Sequence, residues 1–264
     1  MSKSFLETIV EHKQREIEAA RKKVSLTALM QKIDGDISRR SLKKALSQTN
    51  RVNIIAEIKR MSPSKGLLCE CLDAAGTARC YEAAGAAAIS VLTDKPFFMG
   101  SPKDLEQAKA AVSIPILRKD FIISEYQLVA SAAMGADAVL LIVRILTREK
   151  LQRYLNLCGE LNLEALVEVH SREDLARVMN TDATLIGINN RDLSTFDTQL
   201  SRALDIGQML GPHQIPIVAS GIKSRKDIAK NCRVGLHNFL VGESLVRADS
   251  PGERLRSYLE VEVE

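Results

Sequence analysis

The apolar residues of this chain recur in short runs along most of its length. Eight runs rich in β-branched and aliphatic residues begin at residue 52, and segments rich in Ala, Leu, Glu and Lys separate them. Near-continuous apolar runs are typical of parallel strands covered on both faces, and the intervening segments predict helices. The eight predicted strands are 52–58, 87–92, 114–117, 138–143, 165–169, 185–188, 215–218 and 239–241.

A glycine ahead of the strand marks three of these units. Gly85, Gly135 and Gly235 each follow a predicted helix and closely precede a predicted strand. Glycine accepts the left-handed backbone conformation that commonly ends a helix. Gly85 and Gly135 are separated by two strand–helix units, and Gly135 and Gly235 are separated by four. A regular alternation of strand and helix predicts parallel βαβ units.

The length of the chain favours closure of these units into a barrel. Its 264 residues are near the size of about 250 that is typical of a (β/α)8 TIM barrel. The competing architecture, an open doubly wound sheet, often carries G-x-G-x-x-G after its first strand, whereas KRMSPSKG follows here. We therefore expect an α/β fold, with a single barrel domain over 1–264. Within it, 1–48 is an N-terminal helical extension and 52–260 is the barrel.

The extension itself predicts helices. Residues 2–23 carry an amphipathic pattern, and Ser4 and Glu7 have the spacing of a capping box. A second helical stretch near 38–48 leads to the first strand.

Composition and charge exclude several classes of protein. The net charge of +4 comes from 37 basic and 33 acidic residues, which are dispersed, so it suits an anionic metabolite better than a nucleic acid. The five cysteines are odd in number and lack zinc spacing, which argues against both a disulfide framework and a metal site. No segment resembles a signal peptide or a membrane span. We expect a cytoplasmic protein that binds neither nucleic acid nor membrane.

Polar residues stand at the ends of several predicted strands, where TIM barrels carry their catalytic groups. A lone charge at such a position is more often a surface residue. Several charges that follow apolar runs are better accommodated by a shared barrel mouth, where Lys and Glu acquire the coupled pKa values that acid–base catalysis needs. With alternating side chains, the inward residues are Glu57, Lys59, Lys119, Phe121, Glu168, Asn189 and Arg191.

The loops after the seventh and eighth strands have the composition of an anion site. Ser220 and Gly221 end the seventh strand, where we expect them to open a helix, and Gly242 precedes another short helix. Glycine lets the backbone approach an anion, and the N–H groups of a helix start point at it. Because TIM barrels bind phosphate at these two loops, the pair predicts a phosphate site. Ser62 and Ser64 of the SPSKG loop supply further hydroxyl donors.

Six segments together resemble the indole-3-glycerol phosphate synthase family. They run in order from residue 54 to 247 and read IIAEIKRMSPSKG, ISVLTDKPFFMGS, PILRKDFI, LVEVH, IGINNRDL and FLVGESLVR. The resemblance implies a monofunctional enzyme of tryptophan biosynthesis that converts 1-(2-carboxyphenylamino)-1-deoxyribulose 5-phosphate to indole-3-glycerol phosphate. It implies no metal and no organic cofactor.

The resemblance also implies residue roles. Lys119 is expected to be the general acid, and Lys59 to hold the substrate carboxylate and assist dehydration, with the division of the acid steps left open. Glu168 is the expected general base, Glu57 orients the lysines and Asn189 binds substrate hydroxyls. The expected substrate-binding residues are Phe98, Phe121 and Leu193 as apolar walls, Arg191, and Ser62, Ser220, Gly221, Gly242 and the backbone of Glu243 around the phosphate.

One departure from the family pattern bears on catalysis. The family usually has Glu directly before the Ser-Gly-Ile of strand 7, and this chain has Ala219. We expect a weaker synthase or a shifted pH profile, because the lysines lose a partner that favours their charged form. A non-catalytic barrel that retains phosphate binding is an alternative, and an isomerase of a related phosphosugar is another.

The sequence leaves the assembly open. A monomer and an association with other tryptophan-pathway enzymes are both compatible with it. We expect the first helix to pack across the barrel mouth, and whether it acts as a lid is also open.

Overall fold

Eight parallel strands close into a barrel in the computed structural model, which describes residues 4–33, 39–192, 198–199 and 201–263. Each strand pairs in parallel with both of its neighbours, in the order β1-β8-β7-β6-β5-β4-β3-β2. The TIM-barrel prediction is therefore confirmed, and each predicted strand matches an observed one. The strands are β1 Asn53–Ile58, β2 Ala88–Leu92, β3 Ile116–Lys119, β4 Ala138–Ile142, β5 Glu164–Val169, β6 Leu185–Asn189, β7 Ile215–Ala219 and β8 Asn238–Val241.

Helices surround the barrel and form the extension. The extension contains α1 Phe5–Lys23, α2 Leu26–Ile33 and α3 Leu42–Leu46, of which α2 was not predicted. Short elements after β1 and β4 are a ribbon of Met61–Ser62 with Gly66–Leu67 and a 3-10 helix at Val143–Ile145. The remaining helices are α4 Ala74–Ala83, α5 Lys95–Phe98, α6 Pro102–Ala111, α7 Glu125–Ala133, α8 Arg148–Glu160, α9 Arg172–Val178, α10 Ser201–Gly207, α11 Arg225–Cys232, α12 Glu243–Val246 and α13 Pro251–Leu259.

The three predicted helix-ending glycines have the expected backbone conformation. The φ angles of Gly85, Gly135 and Gly235 are 97°, 82° and 82°. Each glycine lies between a helix and the strand that follows it, so the repeated signature reflects one local geometry used three times.

The apolar side chains of the strands divide between two cores. One fills the barrel interior and includes Ile55, Leu140 and Leu166. The other lies between the strands and the outer helices and includes Ile54, Val139 and Val167. Because successive side chains point to opposite faces, strands buried on both faces need apolar residues at almost every position.

The N-terminal extension contacts both ends of the barrel. Phe5 of α1 lines the cavity at the mouth, and Lys13 pairs with acids that follow β2 and β3. Leu42 and Leu46 of α3 join the interior core. Ser41 donates to Glu164 at the start of β5, which places α3 at the opposite end. The expected packing of the first helix at the mouth therefore agrees with the structure.

The start of α1 also has the predicted local structure. The Glu7 backbone N–H donates to Ser4 Oγ at 3.3 Å, and the Ser4 backbone N–H donates to Glu7 Oε2 at 2.7 Å, which completes the capping box. None of the helices in the described part of the chain is long and apolar enough to cross a membrane.

Candidate active site

A cavity of about 330 Å³ opens at the C-terminal ends of the barrel strands. It collects the site residues that the sequence predicts at widely separated positions, although Leu193 lies outside the described residues. The predicted residues that line it are Glu57, Lys59, Ser62, Phe98, Lys119, Phe121, Glu168, Asn189, Arg191, Ser220, Gly221, Gly242 and Glu243.

The lining of this cavity is positively charged overall. Five basic side chains face three acidic ones, because Lys223 and Arg247 join the three predicted basic residues. Such a lining favours an anionic ligand with more than one negative group.

Glu57 and Lys59 form an ion pair at the end of β1. Lys59 Nζ donates to Glu57 Oε1 at 2.7 Å, and both side chains are largely shielded from solvent. Burial by itself would raise the pKa of Glu57, but the charges of Lys59 and Lys119 hold this pKa below its usual value. Glu57 is therefore a carboxylate that fixes the position of the Lys59 ammonium group.

Gly242 is the residue that lets β8 pass close to this ion pair. A Cβ atom at this position would lie 2.5 Å from Glu57 Oε1 and 3.1 Å from Lys59 Nζ. Residue 242 is therefore required to be glycine because a side chain would collide with the Glu57–Lys59 pair.

Lys119 and Glu168 approach each other across the barrel mouth. The Nζ atom of Lys119 lies 3.7 Å from Oε2 of Glu168, whose side chain is almost completely buried. The other oxygen, Oε1, lies 3.4 Å from Nε2 of buried His170. Burial lowers the pKa of His170, although the nearby Glu168 charge opposes this shift. The base candidate thus has a cation on one oxygen and an imidazole on the other.

Two aromatic rings form an apolar wall of the cavity. The ring centroids of Phe98 and Phe121 are 6.1 Å apart. Phe98 ends the short helix α5, whose N-cap Asp94 accepts the Phe97 backbone N–H through Oδ1 at 2.8 Å. An aromatic ligand ring can pack against this wall.

The loop after β7 differs from its prediction. Ser220 and Gly221 do not open a helix, since α11 begins at Arg225 and its N-cap is Ser224. Both residues instead have left-handed φ angles, 64° for Ser220 and 85° for Gly221. A serine held in this conformation is strained, which is common at functional sites.

The other two loops around the predicted phosphate site have the expected form. The helix α12 begins at Glu243 directly after Gly242, as predicted. Ser62 Oγ is buried in the cavity wall and has no hydrogen-bond partner among the described residues. A buried hydroxyl without a partner is costly, so Ser62 is a donor available to a ligand.

Arg191 links three of the loops around the cavity. Its Nη1 donates to Ser64 Oγ at 3.0 Å, and its Nη2 donates to Glu243 Oε2 at 3.4 Å. The Glu243 carboxylate also lies 3.7 Å from Arg247. Two guanidinium groups therefore balance the acidic side chain that stands beside the predicted phosphate site.

Asn190 supports a loop of the cavity and was not predicted from the sequence. Its Nδ2 donates to the Ser220 carbonyl at 3.2 Å, and its Oδ1 accepts the Ala203 backbone N–H at 3.0 Å. It thereby fixes the strained loop after β7. The available signal was the second Asn of the Asn-Asn pair at the end of β6.

Phe5, Lys223 and Arg247 were also missed. They lie on α1 and on the segments after β7 and β8, where a sequence pattern does not distinguish a residue that faces the cavity from one that faces solvent. The described residues contain no group of three or more His, Cys, Asp or Glu side chains arranged to hold a metal ion.

Ala219 ends β7 and lines the cavity. It pairs in register with Asn189 on one side and Leu240 on the other. The methyl group therefore occupies a mouth position between two strands whose ends also face the cavity.

Comparison with known proteins places the chain in a family. Among solved structures, 3-hexulose-6-phosphate synthase from Salmonella typhimurium aligns with a TM-score of 0.60 over 79% of this chain and 97% of that one. At 13% identity this likeness supports the barrel fold alone.

The sequence comparisons are far more specific. The indole-3-glycerol phosphate synthase of Syntrophobacter fumaroxidans is 50% identical over 94% of both chains. The enzyme of the same name from Desulfosudis oleivorans is 49% identical over 97% of this chain and 98% of its own. The sequence profile of the family, described as indole-3-glycerol phosphate synthase, matches residues 6–258. This chain therefore belongs to the indole-3-glycerol phosphate synthase family.

Proposed function

We propose that this protein converts 1-(2-carboxyphenylamino)-1-deoxyribulose 5-phosphate to indole-3-glycerol phosphate in tryptophan biosynthesis, as a carbon–carbon lyase. The observation that carries the proposal is the convergence of Lys59, Lys119 and Glu168 from three strands on one positively lined cavity. Membership of the synthase family over nearly the whole chain supports it.

The cavity offers a distinct environment for each part of this substrate. The phosphate is bound by Ser62 and by the loops that carry Ser220, Gly221 and Gly242, since left-handed and glycine-rich backbone accommodates anions. The anthranilate ring packs against Phe98 and Phe121. This arrangement directs the ring carboxylate towards Lys59. Asn189 and Arg191 then bind the hydroxyl groups of the substrate and the edge of its phosphate.

Ring closure requires an acid beside the ribulose carbonyl. The ring carbon that bears the carboxylate forms a bond to the carbonyl carbon, and Lys119 supplies the proton for the carbonyl oxygen. The carboxylate then leaves as carbon dioxide, and the electron pair of the broken bond restores the aromatic ring. Lys119 is suited to this step because its ammonium group lies in the cavity next to a carboxylate.

Dehydration completes the indole ring. The hydroxyl group made in the first step leaves as water after protonation by Lys59, and Glu168 accepts the proton released as the new double bond forms. Glu57 holds Lys59 in place through the 2.7 Å hydrogen bond. The roles of the two lysines could also be exchanged, with Lys59 as the acid in ring closure and Lys119 as the acid in dehydration. Assays of each step in the two single-lysine variants distinguish these assignments.

The experiment that tests the proposal is an assay of the purified protein with the carboxyphenylamino-deoxyribulose phosphate, in which indole fluorescence reports product. Product that forms with the unmodified chain and disappears in Lys119→Ala supports the synthase. Binding of inorganic phosphate without turnover supports a non-catalytic barrel instead. Consumption of the substrate without indole fluorescence supports an isomerase.

A further inference from the structure

A lysine of the N-terminal helix carries a fully buried charge outside the cavity. Lys13 lies in the middle of α1, and its side chain has no solvent exposure. Its Nζ atom is 2.9 Å from Asp94 Oδ2 and 2.9 Å from Asp120 Oδ1. It also contacts the partly exposed Glu16 at 3.0 Å. A buried ammonium group with three carboxylate neighbours is costly to assemble, so its position requires a reason.

Asp94 connects this lysine to the aromatic wall. One carboxylate oxygen of Asp94 caps α5 by accepting the Phe97 backbone N–H, and the other faces Lys13. Phe97 packs edge-on against Phe5 of α1 at 5.6 Å between ring centroids, whereas the next residue, Phe98, lines the cavity. The orientation of α5, and with it the cavity-facing ring, therefore depends on a carboxylate that Lys13 holds.

Asp120 connects the same lysine to the general-acid candidate. Asp120 stands between Lys119 and Phe121, both of which line the cavity. Its Oδ1 accepts the Phe121 backbone N–H at 2.8 Å, and its Oδ2 accepts from Arg118 at 2.8 Å. Burial would raise the pKa of Asp120, but Arg118 and Lys13 hold it far below its usual range. The ionised carboxylate of Asp120 thus fixes the loop after β3.

We infer that Lys13 is a positioning residue for the proposed synthase reaction: from a helix outside the barrel, it holds the loops after β2 and β3 so that Phe98, Lys119 and Phe121 face the substrate together. The inference rests on the proposed function, because it specifies which ligand parts these residues meet. It predicts that loss of the lysine affects the aromatic part of the ligand and leaves the phosphate end unchanged.

The phosphate end provides the internal control. Ser220 and Gly242 lie after β7 and β8, and in the described part of the chain no ion pair or hydrogen bond of Lys13 reaches these two loops. A lysine that only stabilises the fold would affect the whole molecule, whereas a positioning lysine affects one side of the cavity.

The test replaces Lys13 by Met, which keeps the length of the side chain and removes the charge. The matched control is Lys22→Met, which removes an exposed lysine from the same helix. Steady-state constants are measured with the substrate. Dissociation constants are measured for inorganic phosphate and for the ribulitol analogue, in which the substrate carbonyl is reduced to an alcohol. Melting temperatures show that all the measurements are made on folded protein.

We expect Lys13→Met to raise KM and the dissociation constant of the analogue by roughly 10- to 100-fold, because displaced groups around a ligand cost about this much. The affinity of Lys13→Met for inorganic phosphate is expected to stay within about twofold of the unmodified value, because Asp94 and Asp120 lie away from the loops after β7 and β8. All the constants of Lys22→Met are expected to stay within the same range, because Lys22 is an exposed residue. A Lys13→Met protein that melts earlier but keeps its KM overturns the inference, as does an equal loss of affinity for both ligands.

A second variant decides the question if Lys13→Met does not fold. Asp94→Asn keeps an oxygen that can cap α5 and leaves Lys13 with two carboxylates, so a smaller change in the same direction is expected. The double variant should lose less than the sum of the two single variants, because it lacks the unpaired carboxylate at residue 94. Unchanged analogue affinity in Asp94→Asn overturns the inference.

Failure of the inference differs from failure of the proposed function. An unmodified protein that neither forms indole product nor binds the analogue rejects both. An active unmodified protein whose Lys13→Met variant keeps its KM and its analogue affinity rejects the positioning role alone.

Discussion

Lys119 Nζ lies 3.7 Å from Glu168 Oε2, although β3 and β5 are separated in the barrel by β4. The two side chains meet because both point into the mouth at the ends of their strands. If they serve one reaction, Glu168→Gln should lower kcat by about 10²- to 10⁴-fold, which is typical for loss of a catalytic acid or base. The affinity for inorganic phosphate should not change, since the proposed phosphate loops follow β1, β7 and β8.

The double variant provides a sharper measurement. Residues that act as a unit give effects that do not add, so Lys119→Met with Glu168→Gln should be only slightly less active than the worse single variant. The control Lys103→Met changes an exposed lysine of α6 and should retain full activity. Strictly additive losses would show that the two groups act independently.

Gly242→Ala should damage the site through the Glu57–Lys59 pair. The new methyl group would lie 2.5 Å from Glu57 Oε1, so the carboxylate must move and the lysine loses its fixed position. We expect kcat to fall at least tenfold and the free energy of unfolding to fall by about 1–3 kcal/mol, as for other overpacked sites. Steady-state kinetics and urea denaturation measure the two effects.

Gly159→Ala is the matched control for that experiment. Apart from its chain neighbours and the backbone of its own helix α8, a Cβ atom at Gly159 meets no atom of the described residues within 4 Å. Alanine also forms helix more readily than glycine, by up to about 1 kcal/mol. This variant should therefore keep its activity and be equally or more stable, and equal damage in both variants would contradict the explanation by close approach.

Ala219→Glu should alter catalysis. A carboxylate at the end of β7 would enter the cavity that contains Lys59 and Lys119, where a negative charge favours the ammonium forms. We expect turnover to rise or the pH–rate profile to move to higher pH. Ala219→Gln has the same size without the charge, so it separates electrostatics from shape. The expectation fails if the Glu and unmodified proteins share one rate and one profile.

His170 should make the stability of the protein depend on pH near neutrality. Burial holds the pKa of His170 below its ordinary value of 6.5, so the unfolded chain binds a proton more readily than the folded one. Stability is therefore lost as the pH falls below about 6.5 and is present above it. Urea denaturation from pH 5 to pH 8 measures this dependence.

His170→Gln is the comparison for that series, because glutamine does not titrate. Its free energy of unfolding should vary less with pH than that of the unmodified protein. Burial also lowers the pKa of His237, so a smaller slope of the same sign should remain in the variant. Equal slopes in the two proteins would exclude His170 as the source.

The barrel and most of its mouth could be predicted because they follow from local patterns. A strand buried on both faces needs an apolar run, and inward residues at its end follow from alternation. Lys59 and Glu57, two residues apart at the end of β1, are the clearest example. The start of α11 was missed, although Ser224 and Asp227 form a capping box that the sequence contains.

What could not be predicted depends on contacts between distant segments. Lys13 has the sequence context of an ordinary helix surface residue, and its burial follows only from the folded positions of Asp94 and Asp120. Phe5 joins the cavity for the same reason. No periodic pattern encodes where an added helix docks on a closed barrel.

The two attachments of the N-terminal extension have different consequences for shortened chains. A chain that starts at residue 39 keeps Leu42 and Leu46, which close the floor of the barrel, and loses the α1 wall of the cavity. A chain that starts at residue 49 exposes the floor as well. The first truncation removes a surface that faces the substrate, whereas the second also removes part of the interior core. Activity should therefore be lost in the longer of the two shortened chains, and the stability of the barrel only in the shorter one.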